Sequence, residues 1–244
     1  MFFNLIPIEL KKYKRTVLPW LIAAGGLLTS GTAIIMVSTE NQQVNWETYA
    51  VQGLNFMNLL ALLLVAVFTG FVFTGENSNN IDNILFTYPV SRIRFFLSKF
   101  IVLLLFTLLL YLAFLFFAML LGLLVIGSFP EWKIILKLLQ ISLILSAVNF
   151  ILVPVTTFIT ILVKGAGTYL FTGMAYFILY ISFINTDFSM YFPVCLPDKL
   201  LFGYFNPGIM SSSEFITILT VCAITFLFAF IISAVSYTRQ DVSN

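Results

Sequence analysis

The chain has 244 residues, of which 61% are hydrophobic and only 9% charged, with a formal net charge of +2 and a mean hydropathy of +1.06. A soluble domain carries roughly a quarter of its residues as charged side chains, so this composition excludes a water-solvated globule and makes lipid the main solvent. With no histidine and only two cysteines, Cys195 and Cys222, it also excludes a disulfide framework, a zinc site and His-based intramembrane hydrolysis.

In chain order, residues 1–16 come first. Ile6, Leu10, Tyr13 and Val17 share one helical face, with Lys11, Lys12, Lys14 and Arg15 clustered beside it. That pattern predicts a helix lying in a headgroup layer, with its cations near anionic lipid. The charges follow the apolar residues instead of preceding them, which does not fit a cleavable signal.

Apolar runs bounded by polar punctuation then predict six membrane spans, at about 17–37, 54–74, 100–126, 135–163, 168–186 and 214–237. The expected fold is therefore an all-α integral membrane domain over 1–244. On the first span, Ala23, Gly26, Ser30 and Ala33 form a stripe of small residues, which permits close helix approach within the chain or across a dimer. The third and fourth spans are long enough to tilt or to extend beyond the bilayer. Pro154 removes a backbone bond in the fourth and is expected to kink it, with Thr156 and Thr157 placed to satisfy freed carbonyls.

Between the second and third spans lies a polar stretch, residues 76–99, ENSNNIDNILFTYPVSRIRFFLSK. Ile81, Ile84, Leu85 and Tyr88 recur at i, i+3, i+4 and i+7, with Asn79, Asn80, Asp82 and Asn83 opposite, so a short amphipathic helix is predicted. Ser78 is its N-cap and Pro89 its stop; Ser91 then caps the next helix, with Val90 and Phe95 at the staple positions. An apolar face on so short a helix has to be covered, either by lipid and its own bundle or by a groove on a soluble partner.

Orientation follows from the basic residues. With the amino terminus in the cytosol, Lys11, Lys12, Lys14, Arg15, Arg92, Arg94, Lys99, Lys164 and Arg239 lie inside, against Lys133, Lys137 and Lys199 outside. The positive-inside rule therefore places both termini and the 76–99 loop in the cytosol. Six acids, Glu40, Glu47, Glu131, Asp187, Asp198 and Glu214, fall outside. The last outer segment, 187–213, is rich in Phe, Tyr, Leu and Pro, so it is expected to pack on the bundle or dip into the outer leaflet, or to form an aromatic belt at the interface.

No ionisable Asp, Glu, Lys or Arg falls mid-span, which argues against a proton-coupled carrier or a voltage sensor. The polar residues within spans are Asn55, Asn58, Gln140, Ser142, Ser146, Asn149 and Thr160; together with Thr156 and Thr157 they are candidates for helix packing or for lining a path. No G-x-x-x-x-G-K-[ST] occurs, so the chain has no phosphate cradle of its own.

Glu76, then Thr87-Tyr88-Pro89-Val90-Ser91-Arg92, then Ser98-Lys99, resembles the first cytosolic loop of ABC-2 type permeases. The basic amino-terminal helix, the six spans and the longer outer loop before the last span resemble the same family, and most closely its small permeases of lantibiotic immunity, bacitracin resistance and toxic-peptide export. The resemblance implies that Glu76, Ile81, Ile84, Leu85, Tyr88, Pro89, Ser91 and Arg92 form a coupling element seated in an ABC ATPase subunit, and that 187–213 is a partly re-entrant outer gate. It also implies a second permease subunit, identical or homologous, in the cell membrane of a bacterium. ATP and magnesium are then expected on the ATPase, with no cofactor, metal or catalytic residue on this chain and no nucleic-acid partner. The expected cargo is an amphipathic or antimicrobial peptide, moved outward. The rival readings are the substrate-binding membrane subunit of an importer and an ion-coupled carrier.

Overall fold

A backbone without water around it must bond within its own segment, so apolar runs of this length wind into helices. The computed structural model describes residues 2–39, 45–74, 91–163, 167–206, 208 and 210–239, and among these no strand occurs. The helices are α1 (Phe2–Tyr13), α2 (Leu18–Thr39), α3 (Trp46–Thr74), α4 (Arg92–Ile126), α5 (Trp132–Phe150), α6 (Leu152–Val163), α7 (Thr168–Phe183), α8 (Leu196–Phe205) and α9 (Ser212–Thr238). Two short 3₁₀ turns, Asp187–Tyr191 and Pro193–Cys195, lead from α7 into α8.

Among the described residues, five helical runs are long and apolar enough to cross a membrane: α2, α3, α4, the α5–α6 run and α9. The run expected at 168–186 forms a helix of only 16 residues, α7, which ends at Phe183. At 1.5 Å per residue it spans about 24 Å, short of a hydrocarbon core of about 30 Å. The chain then turns through Ile184 and Asn185 into the 3₁₀ segments.

The expected break in the fourth span lies between Phe150 and Leu152, where Ile151 donates to the Val148 carbonyl in a tightened turn. Pro154 stands four residues beyond Phe150, so its missing N–H removes the bond that would tie the two helices into one. The neighbouring threonines do not answer the carbonyl freed in this way. Thr156 and Thr157 donate instead to Leu152 and Val153, each one turn back in α6.

Two features of the first turns differ from expectation. The amino-terminal helix stops at Tyr13, so Val17 lies beyond it and is exposed, while Glu9 joins Tyr13 on the buried face. Tyr13 meets Phe106 edge-on at 5.8 Å, which lays α1 against α4. Lys12 pairs with Glu9 at 2.8 Å, supplying a partner for a carboxylate that packing has taken from water.

The small-residue stripe on α2 serves contact inside the chain. Gly26, Ser30 and Ala33 are buried, and a Cβ on Gly26 would lie 2.7 Å from the Ala113 carbonyl carbon and 2.8 Å from the Phe114 nitrogen of α4. Backbone-to-backbone approach of this kind supplies the dispersion contacts that hold helices together where lipid is as apolar as leucine. α3 is the centre of the bundle: 67% of its apolar window is buried, against 11% for α9, which lies at the rim.

Candidate functional site

The basic residues lie on α1 and at the start of α4, which Lys99 ties to the end of α3, while Glu47, Glu131 and Glu214 at the starts of α3, α5 and α9 and Asp187 after α7 mark an acidic end. Of the predicted coupling residues, Glu76, Ile81, Ile84, Leu85, Tyr88 and Pro89 lie outside the described residues, as do Ser78 and Val90. The two flanks of that stretch are described. Ser91 stands at the N-cap of α4 in extended conformation, as expected, but its side chain makes no capping bond; its carbonyl accepts from Arg94 N instead.

The flanks are fastened to each other. Lys99, 1% exposed, donates from Nζ to the Val72 carbonyl at 3.1 Å and lies 5.1 Å from the Phe73 ring centre. A cation at the last carbonyls of a helix is favoured by the partial negative charge there, so Lys99 ties the end of α3 to the start of α4. Arg92 does the same for α9, donating to the Thr238 carbonyl at 3.1 Å.

Between these two ties sits an aromatic collar. Phe96 packs at 4.6 Å on Phe100, 6.0 Å on Phe73, 5.6 Å on Phe230 and 5.4 Å on Tyr237, and Phe100 reaches Phe150 at 6.2 Å. Edge-on and tilted aromatic pairs each add about 0.5–1.5 kcal/mol beyond the area they bury. The collar thus joins α3, α4, α5 and α9 beside the 75–90 stretch.

Towards the acidic end a second polar arrangement crosses the bundle. Asp198, in the first turn of α8, accepts from Asn58 Nδ2 of α3 on Oδ1 at 2.6 Å and from the Tyr180 hydroxyl of α7 on Oδ2. Asn58 Oδ1 accepts from the Tyr111 hydroxyl of α4 at 2.7 Å, and that hydroxyl accepts from Asn149 Nδ2 of α5 at 2.7 Å. Five helices are joined by one run of hydrogen bonds. Asn58, Tyr111 and Asn149 are almost fully buried, and Asn149 Oδ1 is left without a partner. Burial pushes the Asp198 carboxyl above its ordinary range, against the stabilising bonds from Tyr180 and Asn58 and the nearby Lys199 charge. Burial likewise raises the adjacent Cys195 thiol to about 11.

Sequence reasoning named Asn58 and Asn149 but not what joins them. Tyr111 and Tyr180 stand inside apolar runs, and Asp198 reads as one more outer acid. The signal that could have found it is Leu196-Pro197-Asp198, with Pro and an acid in a first helical turn ahead of Leu200 and Leu201. The other named polar residues play lesser parts. Asn55 is partly exposed on α3, Thr156 meets the Tyr176 hydroxyl at 3.0 Å, Tyr204 donates to Gln140 at 3.0 Å, and Ser146 and Thr160 bond carbonyls of their own helices.

The segment 187–205 packs inward. Leu196 and Leu200 of α8 form a buried cluster with Ile218 and Cys222 of α9, lined by Val148 and Ile151 at the α5–α6 break. Of the six acids counted outside, Glu47 pairs with Lys137 at 2.6 Å, Glu214 closes a capping box with Ser211, and Asp198 is held as above. Glu131 and Asp187 remain exposed, and Glu40 lies outside the described residues. Both cysteines are free thiols, and no group of acids, cysteines or histidines among the described residues suits a metal ion.

A family model described as ABC-2 family transporter protein matches residues 5–182. No curated protein matches the chain. The matched region runs from the amino-terminal helix through both flanks of the polar stretch to the end of α7, well over half of the 244 residues. The chain belongs to the ABC-2 family of transporter proteins, as a multi-pass membrane permease.

Proposed function

We propose that this permease is the membrane subunit of an ATP-driven exporter, in which two permease subunits work with two separate ATPase subunits that hold ATP and magnesium. The observation that carries this reading is the polar stretch 75–90, set between α3 and α4 in a member of a transporter family. Its predicted amphipathic helix has an apolar face, Ile81, Ile84, Leu85 and Tyr88, suited to a groove on an ATPase. Both flanks are fastened to the bundle through Lys99, Arg92 and the aromatic collar, so force applied to the stretch reaches the spans. The membrane is the bacterial cell membrane, with both termini in the cytosol, and α7 is counted as the fifth of six spans.

On this reading 187–205 is a partly re-entrant outer gate, supported by the contact of Leu196 and Leu200 with side chains midway along α5–α6 and α9. The cargo is an amphipathic peptide taken from the membrane or cytosol. Spans without mid-length charges offer little to a polar solute, whereas a molecule already partitioned into lipid has little hydration left to lose. The acidic outer surface contributes less to attracting cationic cargo than the sequence implies, because Glu47 and Glu214 are engaged within the chain.

Leu85→Asp tests the reading. A charge on the docking face must be desolvated on binding, at a cost of several kcal/mol, so the variant is expected in the membrane at normal levels but without ATPase on copurification. Full ATPase binding together with normal peptide tolerance would show that the helix rests on lipid.

A further inference from the structure

α3 ends at Thr74, where the coupling stretch begins, and carries Asn58 sixteen positions earlier, about 24 Å along the helix at 1.5 Å per residue. At that point it reaches α8 through Asn58 Nδ2 and Asp198 Oδ1, 2.6 Å apart. We infer that α3 is the element that carries movement of the coupling stretch to the outer gate, and that the Asn58–Asp198 hydrogen bond is the link by which it pulls on α8. The inference rests on the exporter reading above and adds the route and its positioning residues.

Three observations support the route. The lower end of α3 is tied to α4, where Lys99 donates to the Val72 carbonyl and Phe73 packs in the aromatic collar. The amide of Asn58 is held in one orientation: Tyr111 donates to its Oδ1 while itself accepting from Asn149, which leaves Nδ2 facing the carboxylate. Turning that amide over would set two acceptor oxygens against each other. The length of the link is the third element: at 2.6 Å it is at the short end of N–H···O hydrogen bonds, and it lies partly buried among helices. Asp198 is moreover shared with Tyr180, so α8 is held between α3 and α7.

α5 and α9 also meet α8, α5 through an exposed hydrogen bond between the neutral Tyr204 and Gln140 side chains. α9 meets α8 through Leu196, Leu200, Ile218 and Cys222, all apolar or nearly so. Apolar contact is non-directional, whereas a short hydrogen bond from a fixed, buried amide is directional and resists displacement along its own axis.

The structure offers a native probe. Cys195 lies three positions before Asp198 and is completely buried. The complex of full-length permease and ATPase, with Cys222→Ala to leave one thiol, is treated with a membrane-impermeant maleimide with and without ATP and orthovanadate. The unmodified link is expected to give a several-fold nucleotide-dependent change in the labelling rate of Cys195. Asn58→Leu is expected to abolish that change while the ATPase still copurifies and hydrolyses ATP, an outcome that a purely structural role for Asn58 would not give. If Asn58→Leu fails to fold, the pair Asn58→Leu with Asp198→Leu removes both groups of the link together, so that neither is left buried without the other, and takes an acceptor only from the Tyr111 and Tyr180 hydroxyls. A nucleotide response preserved without the link overturns the inference and leaves the exporter reading intact. No response in the unmodified complex, with ATPase bound and active, overturns the inference as well. No ATPase on the unmodified permease sinks the exporter reading, and the inference falls with it.

Discussion

Arg92 and Thr238, 146 positions apart in sequence, meet at 3.1 Å, the guanidinium of the first α4 residue donating to the carbonyl of the last α9 residue. The bond closes the rim helix onto the flank of the polar stretch 75–90, and it places a cation where the α9 carbonyls run out of partners. Hydrogen bonds that involve a charged group contribute about 1.5–3 kcal/mol, and the site is only partly buried, so Arg92→Ala is expected to cost about 1–2 kcal/mol. Unfolding of the permease in detergent measures this. Arg92→Lys retains the charge and is expected to fall between the two. A wild-type transition for Arg92→Ala would mean that the collar alone holds α9.

Two glycines on α2 give opposite expectations for one substitution. At Gly26 an added Cβ would meet the α4 backbone at 2.7 Å, and backbone does not yield as a side-chain tip does. Gly26→Ala must push α2 away from α4, at about 1–3 kcal/mol for overpacking. At Gly31 nothing lies within 4 Å of the added atom, and alanine is favoured over glycine in a helix interior by up to about 1 kcal/mol. Gly31→Ala should therefore be neutral or slightly stabilising in the same melt. Equal effects at both sites would contradict the α2–α4 contact.

Legibility from the sequence follows the range of the interaction. Spans, basic flanks, the small-residue stripe and the break near Pro154 were readable, because each rests on residues within a few turns of one another. The short length of α7 was not: the span expected to 186 carries on through Ile184, Asn185 and Thr186, where the chain instead turns into the 3₁₀ segments. The Asn58–Asp198 bond was not either, since a rule that sorts charges by loop makes Asp198 an outer acid and has no means of seeing α3, 140 positions earlier. Pairing of Glu47 with Lys137, 90 positions apart, escaped the charge count for the same reason.

Asp198 also predicts a pH dependence. Burial raises its carboxyl above the ordinary value, so the folded chain binds that proton more tightly than the unfolded one. The sign follows from linkage. This contribution is fully present below the unfolded value of about 3.9 and is lost as pH rises through the folded value. Asp198→Asn cannot ionise, so the stability difference, wild type minus variant, should grow on acidification from neutral pH. Melting curves of both proteins in detergent at several pH values check this. A difference independent of pH would show that the carboxyl is not held above its ordinary range.

Sidedness is the last test, because the exporter reading depends on the stretch 75–90 facing the ATPase. Single cysteines at Asn79 and Ser212, introduced into a Cys195→Ala, Cys222→Ala background, report on the two ends of the chain. Ser212 is exposed at the first turn of α9, beside the Ser211–Glu214 capping box. Asn79 lies outside the described residues, in the polar stretch. Nine basic residues in the segments assigned to the cytosol against three in the others set the orientation. In intact cells an impermeant maleimide should modify position 212 and leave position 79 untouched until the membrane is permeabilised. Modification of both positions in intact cells would put the polar stretch outside. It would then have no access to an ATPase, and the assignment of Ile81, Ile84, Leu85 and Tyr88 to a docking face would be lost.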